Sequence, residues 1–182
     1  MKKVLTILVV LTLVAGFAFA TAANTVTLNT VIAAENPTYE LTVNNGTAFT
    51  TEETTVNGLA AEGGVTAEFK IAQTNAAKVA SGTVVTLTVT CKKFINVDDA
   101  TKETALPTVT VTGEGLGNAA TRTNLTFNAA AAGASNVATF TPKYSGKVAS
   151  GEIGRFTANW AQNDNLPSGT YKADIELAYT GL

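Results

Sequence analysis

Tyr171-Lys172-Ala173-Asp174-Ile175-Glu176-Leu177-Ala178-Tyr179 alternates with a period of two. Tyr171, Ala173, Ile175, Leu177 and Tyr179 share one face and Lys172, Asp174 and Glu176 the other, the pattern of a strand half buried against a core. A second alternating stretch, Val26-Thr27-Leu28-Asn29-Thr30-Val31-Ile32, lies near the amino end and has no charged face. Val26, Leu28, Thr30 and Ile32 fall in one register. An uncharged strand beside a free end is suited to strand addition, in which one chain completes the sheet of an identical neighbour.

The first 22 residues read as a secretory leader: Met1-Lys2-Lys3 is basic, Val4 to Ala18 is almost wholly apolar, and Ala20-Thr21-Ala22 offers a small-residue cleavage triplet. Cleavage after Ala20 fits the same pattern. The apolar run is shorter than the ~20 residues a spanning helix needs, so no membrane span is expected in the mature form. Residues 23–34 are then the free donor segment, and 35–182 one domain's worth of chain with no second apolar run or heptad to suggest two modules.

Loss of Lys2 and Lys3 with the leader leaves 10 of the 12 basic residues against 14 acidic ones, a charge of −4. Nucleic acid and anionic membranes are therefore not expected partners, since nothing offsets phosphate repulsion. Only 14% of residues are charged, against ~25% in an ordinary soluble domain. Thr, Ala, Asn and Gly fill the surface instead, and β-branched Thr tolerates a pleated surface better than a helical one. The single cysteine, Cys91, cannot form an intramolecular disulfide. It follows Val85, Leu87 and Val89 in phase, which makes it a small buried apolar residue rather than a reactive one.

Short apolar alternations separated by turn residues run along the rest of the chain. Tyr39, Leu41 and Val43 follow the Asn36-Pro37 break and end at Asn44-Asn45-Gly46; Val65, Ala67, Phe69 and Ile71 follow Gly63-Gly64. Residues 84–91 are apolar on both faces and predict a central strand. Further strands are expected at 108–112, before Gly113, Gly115 and Gly117 interrupt, at 125–127, 137–140 and 153–160. Ala129-Ala130-Ala131-Ala132, cut short by Gly133, is too brief to nucleate a helix and is read as a loop. With no apolar stripe at helical spacing and no fixed repeat, the pattern predicts an all-β sandwich.

Chemistry is notable for what is missing. There is no histidine, so Ser-His-Asp triads and His-ligated metals are excluded, and one cysteine rules out zinc ribbons and redox pairs. Asp98-Asp99 and Glu52-Glu53 are the only adjacent carboxylate pairs of interest. Neighbours on an extended chain face opposite ways, so both pairs read as solvated loop acids rather than a glycosidase dyad. Asp98, Asp99 and Glu103 lack an EF-hand spacing for calcium. Gly113-x-Gly115-x-Gly117 lacks the Lys and the strand-to-helix setting of a phosphate loop. Trp160, in phase with Phe156 and Ala158, reads as core before it reads as a sugar platform. Asn45-Gly46-Thr47 and Asn124-Leu125-Thr126 are formal glycosylation sequons. No enzyme activity, cofactor or metal is expected.

The two ends together resemble the pilins of the chaperone-usher pathway: a cleaved leader, a free alternating amino-terminal extension, and a carboxyl-terminal strand that opens with Gly and carries aromatic or aliphatic residues in phase. Gly169 is fourteenth from the end of the sequence, which is similar to the glycine of the family's terminal motif. The chain departs from that motif at Thr180-Gly181-Leu182, where the family favours a penultimate Tyr. Lacking the disulfide of the familiar pilins, it looks more like their cysteine-poor or spore-coat-U-like branches. The likeness covers about a dozen residues after the leader and the last fourteen.

The resemblance implies a fold and a role. The fold is an immunoglobulin-like β-sandwich, incomplete by one strand and completed by donor-strand exchange. Val26, Leu28, Thr30 and Ile32 would be the inserted side chains. Gly169, Tyr171, Ala173, Ile175, Leu177 and Tyr179 would border the acceptor groove. A periplasmic chaperone and an outer-membrane usher would be the assembly partners, identical subunits the final ones, and the product a cell-surface filament serving adhesion or biofilm. Camelysin-like biofilm fibres, exported without an usher, are a close variant. The competing reading is a monomeric secreted carbohydrate-binding or adhesive sandwich whose first strand pairs within its own sheet.

Overall fold

A computed structural model describes residues 30, 32–114, 125–126, 129–131 and 136–182. The proposed leader, with Val26 and Leu28 of the donor segment, lies outside these residues, as do Gly115, Gly117, Asn124, Phe127 and Ala132. The chain divides into two units, Met1–Ile32 and Ala33–Leu182. In the first, Thr30 and Ile32 are exposed and belong to no strand.

The second unit is all-β among the described residues. Its strands in chain order are β1 (Tyr39–Asn44), β2 (Phe49–Thr50), β3 (Val65–Gln73), β4 (Ala77–Lys78), β5 (Thr86–Cys91), β6 (Ile95–Asn96), β7 (Thr108–Glu114), β8 (Leu125–Thr126), β9 (Ala129–Ala131), β10 (Val137–Phe140), β11 (Lys143–Tyr144), β12 (Lys147–Val148), β13 (Gly151–Trp160), β14 (Tyr171–Lys172) and β15 (Ile175–Thr180). One sheet has the order β2-β1-β3-β13-β7 and a second β15-β5-β10-β9, with three two-stranded ribbons, β11-β8, β12-β4 and β14-β6. Every pairing between these strands is antiparallel.

Alternation builds the core. Val65, Ala67, Phe69, Ile71 and Gln73 of β3 point inward, and Thr66, Glu68, Lys70 and Ala72 outward. Phe69 lies directly across from Phe156 of β13, and their rings stack at 4.9 Å. A register shift between Glu152 and Gly154 lets both Ile153 and Phe156 reach the interior, the usual effect of a bulge. Phe140 of β10 approaches Phe156 at 6.4 Å, and Phe94 meets Trp160 edge-on at 4.9 Å. The two larger sheets therefore face each other across a shared apolar layer, an arrangement consistent with a β-sandwich.

Several expectations need correction. Residues 129–131 are not a loop but β9, paired with β10; small side chains in a short strand can be held by a neighbour when intrinsic propensity is poor. Gly113 does not interrupt β7, which runs to Glu114 with a register shift opposite Arg155 and Phe156. The extra residue at the shift is Thr112, between Val111 opposite Phe156 and Gly113 opposite Arg155. The central strand starts at Thr86, not Val84, and its outer face is Thr86, Thr88 and Thr90 rather than apolar. Its central position is as expected, between β15 and β10. Residues 171–179 do not form one strand, because β14 pairs with β6 and β15 with β5. The break matches a phase change on the partner strand, where burial passes from Cys91 to Phe94 and Asn96.

The entry to β1 is clamped. Glu35 and Lys78 exchange backbone hydrogen bonds of 2.9 and 2.8 Å, and Thr74 donates its N–H to the Thr38 carbonyl at 2.8 Å. The Asn75 side chain accepts from the Thr38 N–H and donates to the Asn36 carbonyl. The antiparallel course of β1 against β3 thus extends past Thr38, with a one-residue shift before the isolated Glu35–Lys78 bridge.

Two outcomes test this packing. Gly64 has φ +70° and a Cβ there would lie 2.1 Å from the Trp160 carbonyl oxygen, so Gly64→Ala should cost at least about 2 kcal/mol in denaturant unfolding, through strain and overpacking. Cys91 is fully buried, and burial pushes its thiol from an ordinary 9.0 up to about 12. The folded chain should resist thiol alkylation at pH 8 until it unfolds. Because the unfolded thiol ionises first, stability from this group is complete below about pH 9 and falls as pH rises toward 12.

Candidate functional site: an open flank between two sheet edges

β15 pairs only with β5 among the described residues, so half of its backbone groups face away from its sheet. Across from it, in the other sheet, β1 pairs with β3 along its length and with β2 only at Val43 and Asn44. The two strands border one flank of the molecule. Tyr39 of β1 and Tyr179 of β15 touch edge-on at 5.1 Å and close one end of it. Tyr39 is itself hydrogen-bonded at 2.5 Å to the buried Tyr144 hydroxyl, which contacts the Gln73 side chain at 3.0 Å.

Toward the other end the flank opens into a groove of about 510 Å³. Leu41 and Val43 form one wall; Tyr171, Ala173 and Ile175 form the other; Phe69, Phe94 and Trp160 make the floor. The wall residues are half-buried and packed against the core, as are Leu177 and Val56. The floor is closed off, with Trp160 only 2% exposed. Its indole N–H donates to the Lys92 carbonyl at 2.9 Å. Buried and so bonded, Trp160 offers no sugar platform.

Of the residues singled out in the sequence, Tyr171, Ala173 and Ile175 line the groove, Leu177 is half-buried beyond them, and Tyr179 is exposed on one side of its ring contact. Gly169 is not in the groove. It lies in the bend before β14, where a Cβ would come within 2.6 Å of the Asn96 side-chain nitrogen. Asn96 is buried and accepts from the Asp98 and Asp99 N–H groups, so it has little room to yield. Thr30 and Ile32 are exposed, Ile32 by 65%.

The acids behave as solvated or locally paired groups. Asp99 accepts from the Thr101 hydroxyl and N–H, hydrogen bonds that hold its carboxyl below the usual range. Glu103 pairs with Lys93, Glu53 with Lys172 at 3.0 Å. No cluster of three metal-ligating side chains occurs among the described residues. No helix among them is long and apolar enough to cross a membrane.

Leu41, Val43 and Val56 were not foreseen as part of a site. The period of Tyr39-Leu41-Val43 signals a strand, but only the shortness of β2, which among the described residues leaves Tyr39–Thr42 unpaired on that side, reveals a groove wall. Val56 stands alone in a polar stretch and carries no periodic signal. Compared with family models, curated proteins and solved structures, the chain finds no match in any of the three.

Gly169→Ala should lower stability by about 1–3 kcal/mol through overpacking against Asn96, measured by chemical unfolding. A Gly169→Ala chain as stable as the parent would show that Asn96 gives way freely.

Proposed function

We propose that this chain is the structural subunit of an extracellular fibre, an incomplete immunoglobulin-like sandwich polymerised head to tail by donor-strand exchange. The observation that carries the reading is the open flank: an edge strand, β15, beside half-buried Leu41, Val43, Ile175 and Leu177. Such an edge, left uncovered, invites pairing with another chain. The segment that would cover it is 23–34, with Val26, Leu28, Thr30 and Ile32 directed into the groove.

Three aliphatic side chains, Val26, Leu28 and Ile32, would supply on the order of 5–9 kcal/mol at about 1.5–3 kcal/mol each, before ladder hydrogen bonds. A head-to-tail contact of this kind does not close on itself and so extends into a filament. Low surface charge supports the same reading, because subunits packed along a fibre bury surface that would otherwise strand charges. A leader at 1–22 would carry the chain out of the cytoplasm. In the pilin version a periplasmic chaperone holds the groove until an usher exchanges it for the next subunit's segment. Adhesion or biofilm support would follow from display at the cell surface. The burial of Trp160 removes the strongest feature of the monomeric sugar-binding alternative.

Deleting residues 23–34 should abolish polymers and leave an aggregation-prone monomer, while a copy of that segment fused behind Leu182 should restore a soluble one. Size exclusion and electron microscopy read both. Filaments that persist after the deletion would refute the proposal.

A further inference from the structure

The groove does not lie bare along its whole length. After β2 the chain crosses the flank, and residues 50–54 and Val56 line the groove opposite Tyr171 and Lys172. This segment starts at the rim of the five-stranded sheet, next to β1, and reaches β14 on the far wall. Two attachments hold it there. Glu53 pairs with Lys172 at 3.0 Å, with the two side chains 78% and 57% exposed. Val56 packs on the core as an isolated apolar anchor. The hydrogen bonds at Glu52 and Thr54 run within the segment, to the Thr50 hydroxyl and the Glu52 carbonyl. Phe94 and Trp160, both buried, line the same groove.

We infer that residues 51–56 are a displaceable strap that covers the apolar half of the groove in the resting subunit and swings aside when a strand pairs along β14 and β15. This rests on the strand-acceptor reading above and adds a regulatory element to it. A strand laid against the outer edge of both β14 and β15 needs the space that the strap fills, so the Glu53–Lys172 pair must open first. The strap's fastening suits such release: an exposed ion pair contributes little and is screened by salt, and one valine is a small anchor. Meanwhile it narrows access to the groove, limiting the exposed apolar patch that would drive indiscriminate association.

The test uses the monomer fraction of the chain from Ala23 onward, isolated by size exclusion before it assembles, and an excess of a fluorescein-labelled peptide of residues 23–34, with uptake followed by anisotropy. Lys172→Ala should take up peptide about two- to fivefold faster than the parent, the range set by a surface ion pair. The double swap Glu53→Lys with Lys172→Glu should return the parent rate. Added salt should speed the parent but not Lys172→Ala. Joining Glu53→Cys and Lys172→Cys with a bismaleimide whose spacer contains a disulfide should slow uptake at least tenfold, reversibly on reduction, with buried Cys91 not interfering. Uptake at one common rate in all these chains would overturn the strap while leaving the groove intact. Absence of uptake in every chain, the reduced double-cysteine form included, would overturn the strand-acceptor reading and the strap with it.

Discussion

The Trp160 indole ties the layers of this molecule together. It sits at the end of the longest strand, donates its N–H to the Lys92 carbonyl where the chain leaves β5, and receives the edge of Phe94 on its ring. A hydrogen bond in an apolar setting cannot be exchanged for water, so the site fixes both the spacing of the sheets and their rotation. Gly64 closes in on the Trp160 carbonyl from outside, and the groove floor is formed from the same two rings. Phe94 meets that indole in the stretch between β5 and β6, whose partners β14 and β15 are broken at the matching place.

The flank expresses a general difficulty of sandwiches. Two sheets can bury their facing sides completely and still leave edges, and short strands or covering loops are the usual remedies. Here one end is closed by the Tyr39–Tyr179 ring pair and the other is spanned by 51–56. Between them the half-buried Leu41, Val43, Ile175 and Leu177 belong to a core that extends to the surface. Charges lie at the rim of the groove, where Glu53 meets Lys172 at 3.0 Å, and on outward faces, as with Arg155 held bidentate by Glu152.

Much of the fold can be read from spacing. The inward set of β3, the phase of Val85, Leu87, Val89 and Cys91, and the half-buried face of 171–177 all follow from period-two alternation, because burial on one face is a local rule. What spacing does not carry is partner choice. Ala129–Ala131 became a strand because β10 lies beside it, and Tyr171–Lys172 parted from Ile175–Thr180 because their partner strand changes phase. Gly169 looked like a motif residue, yet its role here is to make room for the Asn96 side chain. Groove walls are harder still, since Leu41 is a wall only by virtue of the strand that does not accompany it.

The clamp before β1 sets how a pull on the leading end of the domain would be resisted. Tyr39 through Val43 runs antiparallel to Phe69 through Gln73, and the Glu35–Lys78 bridge, one residue out of that register, and the Asn75 side chain fasten the point of entry. Tension applied to the chain ahead of Glu35 is delivered along the strand axis, and ladder bonds lie across that axis. They are stressed in shear and must yield together instead of unzipping one after another. A pull on that end would meet the joint resistance of these bonds, in the manner of a spliced rope.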